Sequence, residues 1–224
     1  MHTATSTELV SVVIPAYNAE AFVEAAVESV RGQEGARLDV IIVDDGSTDR
    51  TREVLRRFGA QVRVLSQGNA GSSAARNLGA ALARGEYLAF LDADDLWVPG
   101  KLKRQLAAFA CDPGLDVVWG GVREFRDGED PAASQRPVLA APHPGAALLR
   151  REAFERAGGF SDVFRETEVV EWATRILEPE FRQARVDDVV MYRRLHGTNK
   201  GLDNEAARRE YLAVLKRHLD RRRS

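Results

Sequence analysis

Residues 10–18 read VSVVIPAYN, a compact apolar run that ends at Pro15 and is followed by polar residues. A run of this kind predicts a buried β-strand. A helix should follow it, with Asn18 as the cap and apolar side chains along one face. This strand–helix unit is the first of several in the first half of the chain, and the series decides the fold class.

Residues 40–43, 61–65 and 87–91 are predicted as three more strands. Helices are expected between them, and Ser47, Thr48 and Asp49 are candidate caps. Strands that alternate with helices predict an α/β fold with a mostly parallel central sheet and helices on both faces. Ligands bind beyond the carboxyl ends of such strands. Polar residues at 15–18, 44–49 and 92–95 should therefore meet in one crevice.

The composition excludes several classes of protein. The chain has 224 residues, a formal net charge of -2 and a single cysteine, so a disulfide framework and a multi-thiolate metal site are excluded. The near-neutral charge offers no general attraction to nucleic acid. The sequence contains no run of about 18 apolar residues, so it predicts no membrane span. The N-terminus also lacks the pattern of a secretory signal, so a soluble, cytoplasmic protein is expected.

Residues 91–95, LDADD, place three carboxylates within four positions at a predicted strand end. The mutual repulsion of these carboxylates would be relieved by a hard divalent cation, Mn²⁺ or Mg²⁺, which prefers oxygen ligands. The alternative is a solvated acidic turn that caps a helix.

Two further segments have residues that suit a nucleotide-binding site. Residues 43–49, VDDGSTD, put Asp44 and Asp45 at a strand end, where a carboxylate can accept hydrogen bonds from a base or ribose. Residues 69–77, NAGSSAARN, open a helix with small residues, and a helix N-terminus suits an anion. Arg76 adds a fixed positive charge. The alternative for each segment is structural: a capped turn, and an alanine-rich helix with Arg76 in solvent.

Taken in order, the motifs IPAYN, VDDGSTD, GNAGSSAARNLG and FLDADD resemble those of the family 2 glycosyltransferases, which have the GT-A fold. The resemblance is close over Val10 to Trp97. It continues more loosely through residues 148–160 and into residues 192–199, YRRLHGTN.

The resemblance implies transfer of a sugar, with inversion, from a nucleotide-diphosphate sugar such as a UDP-sugar. The implied nucleotide-binding residues are Pro15, Ala16, Tyr17, Asp44, Asp45, Arg76 and Asp92. Asp92 and Asp94 would bind Mn²⁺ or Mg²⁺, with Asp94 as the direct ligand. His196 would complete the metal site and Arg194 the diphosphate contacts; a surface-loop histidine is the alternative for His196. The acceptor could be a glycan, a lipid-linked sugar, a peptide or a small molecule.

The chain departs from the family at the catalytic base. The family usually supplies it from a Glu-Asp pair, and here Glu168 is followed by Val169, which cannot accept a proton. We predict Glu168 as the base and Glu171, about one helical turn on, as the reserve. The alternative is a catalytically degenerate module that binds a nucleotide-sugar or a partner protein. A nucleotidyltransferase is disfavoured, because PAYNAE after the first strand holds no glycine or basic residue.

We expect one domain over residues 1–224, with a nucleotide-sugar-binding half at about 8–98 and an acceptor-side half at about 99–224. The proline-rich loop 127–144 should influence acceptor choice. A C-terminal helix over 205–219 should dock through Leu212, Leu215 and Leu219. The alternative for its basic surface is peripheral contact with an anionic membrane.

Overall fold

A computed structural model describes residues 8–164, 167–197 and 205–221, with the side chains of the last helix described for 209–218. The strands are β1 Leu9–Ala16, β2 Arg37–Asp44, β3 Arg63–Ser66, β4 Tyr87–Phe90, β5 Leu96–Trp97, β6 Val117–Arg126, β7 Val138–Leu139, β8 Ala147–Arg150 and β9 Gln183–Leu195. The helices are α1 Val23–Arg31, α2 Thr51–Arg56, α3 Ser72–Ala81, α4 Lys101–Cys111, α5 Arg151–Ala157, α6 Glu168–Ile176 and α7 Glu205–Arg221. Short 3₁₀ turns cover Gly59–Gln61, Pro131–Ala133 and Pro144–Ala146.

All nine strands join one sheet in the order β3-β2-β1-β4-β8-β6-β9-β5, and β7 pairs with β6. The strands β3, β2, β1 and β4 are parallel, as the alternating pattern predicts. Beyond β4 the sheet becomes mixed: β8 is antiparallel to β4 and β6, β9 is parallel to β6, and β5 is antiparallel to β9. The continuous run of four parallel strands therefore belongs to the first half of the chain.

Both faces of the sheet are covered. Val10, Val12 and Ile14 of β1 point into one apolar cluster together with side chains of α1, α2 and α4. Val13, on the opposite face, joins a second cluster with side chains of α3, α5 and α6. Since successive strand residues point to opposite faces, the continuous apolar run of β1 reflects burial on both sides.

Gly79 lets α3 lie directly on β1. A Cβ atom at this position would lie 2.4 Å from Cγ1 of Val13, closer than real side-chain contacts. The glycine therefore brings α3 close to the sheet and places its N-terminal turn beside the ends of β1 and β2.

Several local expectations were wrong. Asn18 does not cap α1, because that helix begins at Val23 and has no side-chain cap. The predicted loop 127–144 contains a 3₁₀ turn and the strand β7.

The C-terminal helix was expected to dock through a leucine stripe, but Leu212 and Leu215 are exposed and Val214 is buried. Leu219 lies outside the described side chains. Within the described parts of the chain, no helix has the length and apolar character needed to cross a membrane.

Candidate functional site

The candidate site lies at the carboxyl ends of β2, β1 and β4, three parallel neighbours in the sheet. Pro15 and Ala16 are buried at the end of β1, and Tyr17 follows them with 49% of its surface exposed. Since the three strands end at the same edge, the loops that follow them lie side by side. The polar residues that follow these strands therefore lie along one edge of the sheet.

The loops after β1 and β2 hold each other. Asn18 has a φ of 47°, and its backbone N–H donates to Ser47 Oγ at 3.0 Å. Its side-chain oxygen accepts from the Thr48 N–H at 2.8 Å. Asn18 therefore braces the neighbouring loop, and its left-handed backbone suits asparagine better than most residues.

Asp44 and Asp45 hold the loops that follow β2 and precede α3. The carboxylate of Asp44 is buried, accepts from the Ser47 N–H at 3.0 Å and pairs with Arg52 Nε at 2.5 Å. Oδ1 of Asp45 accepts from the Ala70 N–H and Oδ2 from the Gly71 N–H, both at 2.8 Å. Asp45 thereby ties the loop before α3 to the end of β2.

Arg76 of α3 is buried between the two halves of the chain. Its Nη2 donates to Asp92 Oδ1 at 2.6 Å, and its Nη1 lies 3.5 Å from Glu168 Oε1. The guanidinium also lies over the Phe160 ring, 5.2 Å from the centroid. Arg76 thus links the acidic motif after β4 to the predicted base on α6. The solvent-exposed alternative for this residue is wrong.

Arg76 and Asp92 each stabilise the charged form of the other. Burial lowers the pKa of Arg76, but the Asp92 and Glu168 carboxylates outweigh it and hold the pKa above its ordinary value. Burial alone would raise the pKa of Asp92, but Arg76 holds it below the usual range. Both groups are therefore charged at neutral pH.

The pairing of β5 with β9 brings the YRRLHGTN segment that begins at residue 192 close to the acidic residues 92–95. Leu96 of β5 lies opposite Tyr192 of β9. His196 Nε2 consequently lies 2.8 Å from Asp94 Oδ2, and the Arg194 N–H donates to Asp95 Oδ1 at 2.8 Å.

The Arg194 side chain donates to the Asp94 carbonyl at 2.9 Å through Nε and pairs with Asp127 at 2.7 Å through Nη1. The ring of His196 stacks on Phe22 with the centroids 4.9 Å apart. Both sequence-predicted residues therefore lie beside the acidic motif.

His143 is a site residue that the sequence reasoning missed. It lies in the loop before β8, where its Nδ1 accepts from the Gly145 N–H at 3.1 Å. Burial lowers its pKa from 6.5 to about 4, against the opposing influence of Asp92, so the imidazole is neutral. Its only sequence signal is a histidine between Pro142 and Pro144, which carries no information about its partners.

His143 joins a candidate metal-binding group. Within residues 8–164, 167–197 and 205–221, Asp92, Asp95 and His143 each offer one ligand atom, and these atoms lie within 4.8 Å of one another. Burial, together with Asp94 and Asp92, raises the pKa of Asp95 well above its usual range. Carboxylate oxygens and a neutral imidazole suit Mn²⁺ or Mg²⁺, so the residues fit a divalent cation. Asp94, the predicted direct ligand, lies outside this group and contacts His196, the other predicted ligand.

The two predicted bases on α6 have different partners. Glu168 is 6% exposed, and its Oε1 accepts from Ser72 Oγ at 2.7 Å. Glu171 is 1% exposed, and its two oxygens accept from Arg175 Nε at 3.0 and 3.1 Å. Arg175 in turn donates to the carbonyl of Gly159 at 2.5 Å. The structure thus brings Glu168 to the Arg76 cluster, while Glu171 anchors the segment before α6.

The arrangement of strands and acidic loops agrees with a family assignment. Residues 11–164, more than half of the chain, match the model of glycosyl transferase family 2. The chain belongs to this family. Its curated relatives include the uncharacterized glycosyltransferase EpsJ of Bacillus subtilis, 33% identical over 174 residues, which are 66% of this chain and 50% of that protein.

A second relative of this family 2 chain has a named activity. The Escherichia coli protein WfgD, a UDP-Glc:alpha-D-GlcNAc-diphosphoundecaprenol beta-1,3-glucosyltransferase, is 39% identical over 101 residues, 44% of this chain and 40% of WfgD. The chain spans about half the length of the curated relatives it matches.

Solved structures show the same fold. TarS of S. aureus in complex with UDP-GlcNAc superposes with a TM-score of 0.75 and 18% identity, over 93% of this chain and 65% of that one. The mannosyltransferase PcManGT of Pyrobaculum calidifontis, in complex with GDP-Man and Mn²⁺, gives a TM-score of 0.67 at 24% identity over 88% of this chain and 59% of that one. The family 2 chain therefore has the GT-A fold.

Proposed function

We propose that this chain transfers a sugar, with inversion, from a nucleotide-diphosphate sugar to an acceptor hydroxyl, and that the donor is a UDP-sugar. The observation that carries the proposal is buried Arg76, which joins Asp92 of the donor half to Glu168 of the acceptor half. A link of this kind couples donor binding to the group that would activate the acceptor.

The donor nucleotide would lie across the ends of β1 and β2. Tyr17 offers an exposed ring beside the buried ends of these strands, and the loop held by Asp45 closes the other side. The UDP in the name of WfgD and the UDP-GlcNAc bound to TarS support a uridine nucleotide.

A divalent cation, Mn²⁺ or Mg²⁺, would be held by Asp92 with Asp95 and His143, or by Asp94 with His196. Bound there, it would supply positive charge that stabilises the leaving diphosphate. Arg76 holds Asp92 ionised on the side facing the donor half. The Mn²⁺ bound to PcManGT supports a divalent cation.

Glu168 is the proposed general base. Ser72 and Arg76 orient its Oε1, which leaves Oε2 to accept the proton of the acceptor hydroxyl. Glu171 is the weaker candidate, because both of its oxygens are engaged by Arg175.

The proposed acceptor is a sugar linked to a polyprenol diphosphate, as in the name of WfgD. A cytoplasmic location, expected from the sequence, stays a prediction.

Calorimetry with UDP, GDP and dTDP in the presence and absence of Mn²⁺ tests the donor site. We expect metal-dependent binding of UDP, weakened by Asp92→Asn. The matched control is Glu53→Gln. Like Asp92→Asn, it replaces one carboxylate with an amide, but at an exposed position on α2. Absence of binding to all three nucleotides with metal present would refute the proposed donor class.

One observation favours a second candidate, a module that binds a nucleotide-sugar without turnover. Val169 stands at the start of α6, and the neighbouring Glu168 carboxylate is buried against Ser72 and Arg76. Donor binding without donor hydrolysis or sugar transfer, across a panel that includes lipid-linked acceptors, would support this candidate.

A further inference from the structure

Helix α7 is attached to the rest of the protein through one stripe of side chains. Glu210 Oε2 accepts from the N–H and Oγ1 of Thr167, both at 3.1 Å. Val214 is 1% exposed, and His218 Nδ1 lies 3.0 Å from Glu178 Oε1. Residues four positions apart share a helix face, so Glu210, Val214 and His218 define the docked face of α7.

Leu212 and Leu215 of α7 point away from this docked face. Leu212 is 66% exposed, Leu215 is 37% exposed and the neighbouring Tyr211 is 40% exposed. Positions two apart on a helix are separated by about 200°. Leu212 therefore lies opposite buried Val214, and α7 presents an apolar stripe on the side away from α6.

The stripe is bordered by positive charge. Arg209 and Lys216 are exposed, and they lie about 60° and about 40° around the helix from Leu212. Residues 208–223 contain seven basic and two acidic residues, and Arg222 and Arg223 lie outside the described part of the chain. An apolar stripe with a basic border on one helix is the pattern of an interfacial helix. Association of two such faces about a twofold axis would bring like charges together, which disfavours a second copy as the partner.

We propose that the outer face of α7 docks onto an anionic membrane surface. Leu212 and Leu215 would enter the boundary between headgroups and acyl chains, while Arg209 and Lys216 would lie at the level of the lipid phosphates. This inference goes beyond sugar transfer, and it rests on the proposed function only for the lipid-linked nature of the acceptor.

The attachment of α7 connects the membrane to the site. Glu210 holds Thr167, the residue that precedes Glu168 at the start of α6. His218 contacts Glu178, just beyond the end of α6, so the two helices run side by side in the same direction. A bilayer against the outer face of α7 would lie about one helix diameter, roughly 10 Å, from α6. A sugar at the end of a polyprenol diphosphate would then approach the proposed base.

Co-sedimentation of the full chain with vesicles tests the proposal in the absence of any donor or acceptor. We expect binding to vesicles of phosphatidylglycerol and phosphatidylcholine, weakened by high salt, and little binding to pure phosphatidylcholine. The variant Leu212→Glu/Leu215→Glu should bind at least about tenfold more weakly, because it replaces the apolar anchor with like charge. Arg209→Glu/Lys216→Glu should lose the preference for phosphatidylglycerol.

The matched control is Val64→Glu/Leu82→Glu, which replaces two comparably exposed apolar side chains on β3 and after α3. It should bind vesicles like the unaltered chain. Equal binding by the control and the leucine variant, or no binding by the unaltered chain, would overturn the proposal. Concentration-dependent dimerisation that the leucine variant abolishes, without vesicle binding, would assign the stripe to a second copy instead. Calorimetry with UDP is independent of vesicles, so failure of this proposal would be distinguishable from failure of the donor assignment.

Discussion

Ser72 Oγ donates a 2.7 Å hydrogen bond to Glu168 Oε1 and so joins the first turn of α3 to the first turn of α6. Arg76, one turn after Ser72 on the same face of α3, approaches the same carboxylate oxygen at 3.5 Å. The contact connects the nucleotide-binding half to the acceptor-side half through a buried polar link. The effect of this link on the free energy of unfolding and on sugar transfer can be measured.

Replacing Arg76 with methionine should lower the free energy of unfolding by about 3 kcal/mol, because it leaves the buried Glu168 carboxylate without its cation. Urea unfolding measures this change. The control Arg31→Met removes an exposed pair with Glu28 and should cost less than about 1 kcal/mol. Equal losses in the two variants would contradict a buried ion-pair role for Arg76.

Glu168→Gln should reduce sugar transfer by at least about 100-fold, because an amide cannot serve as a general base, while UDP affinity stays unchanged. Turnover and calorimetry on the same preparation separate the two effects. Glu171→Gln should act mainly on stability, lowering the free energy of unfolding by about 3 kcal/mol, because the buried Glu171 carboxylate loses its charge pairing with Arg175. A larger loss of turnover per folded molecule in Glu171→Gln than in Glu168→Gln would reverse the assignment.

His143→Ala should weaken Mn²⁺ binding about tenfold, because it removes one of three ligand atoms near Asp92 and Asp95. Electron paramagnetic resonance of free Mn²⁺ measures the affinity directly and needs no turnover. His196→Ala is the comparison, since that ring lies beside Asp94. If only His196→Ala weakens binding, the cation lies at Asp94 and the sequence-based ligand set is right.

The free energy of unfolding should decrease below neutral pH, because the folded protein holds His143 in its neutral form. Its folded pKa, lowered by burial from 6.5 to about 4, means that the unfolded chain binds this proton at a higher pH than the folded chain. The contribution of the neutral ring is complete above pH 6.5 and is lost as the pH falls towards 4, by up to about 3 kcal/mol. The free energy of unfolding of the unaltered chain, relative to His143→Gln, should therefore decrease from pH 7 to pH 5. A constant difference over this range would show that the ring is not buried in its neutral form.

The sequence predicted the first half of the molecule well. The apolar runs of β1, β2 and β4 and the polar residues after them share a local pattern, and parallel strands put their carboxyl ends at one edge. Caps were less predictable. Asn18 is a residue type that caps helices, but α1 begins at Val23 and the Asn18 side chain binds Thr48 on the neighbouring loop. Competition between local and tertiary hydrogen bonds is not visible in a sequence window.

The sequence by itself determined the α/β class, the family and the acidic motif, because each depends on the order of residues within short segments. Tertiary structure decided which of those residues meet. It placed His143 beside Asp92, gave Arg76 to Asp92 and Glu168, and left Leu212 and Leu215 on the outer face of α7. These contacts join residues far apart in the chain, and they depend on how β8 and β9 pair and on how α6 and α7 pack. The physical reason is that periodicity encodes which face of an element is apolar, whereas the partner of a buried charge is set by the packing of the whole sheet.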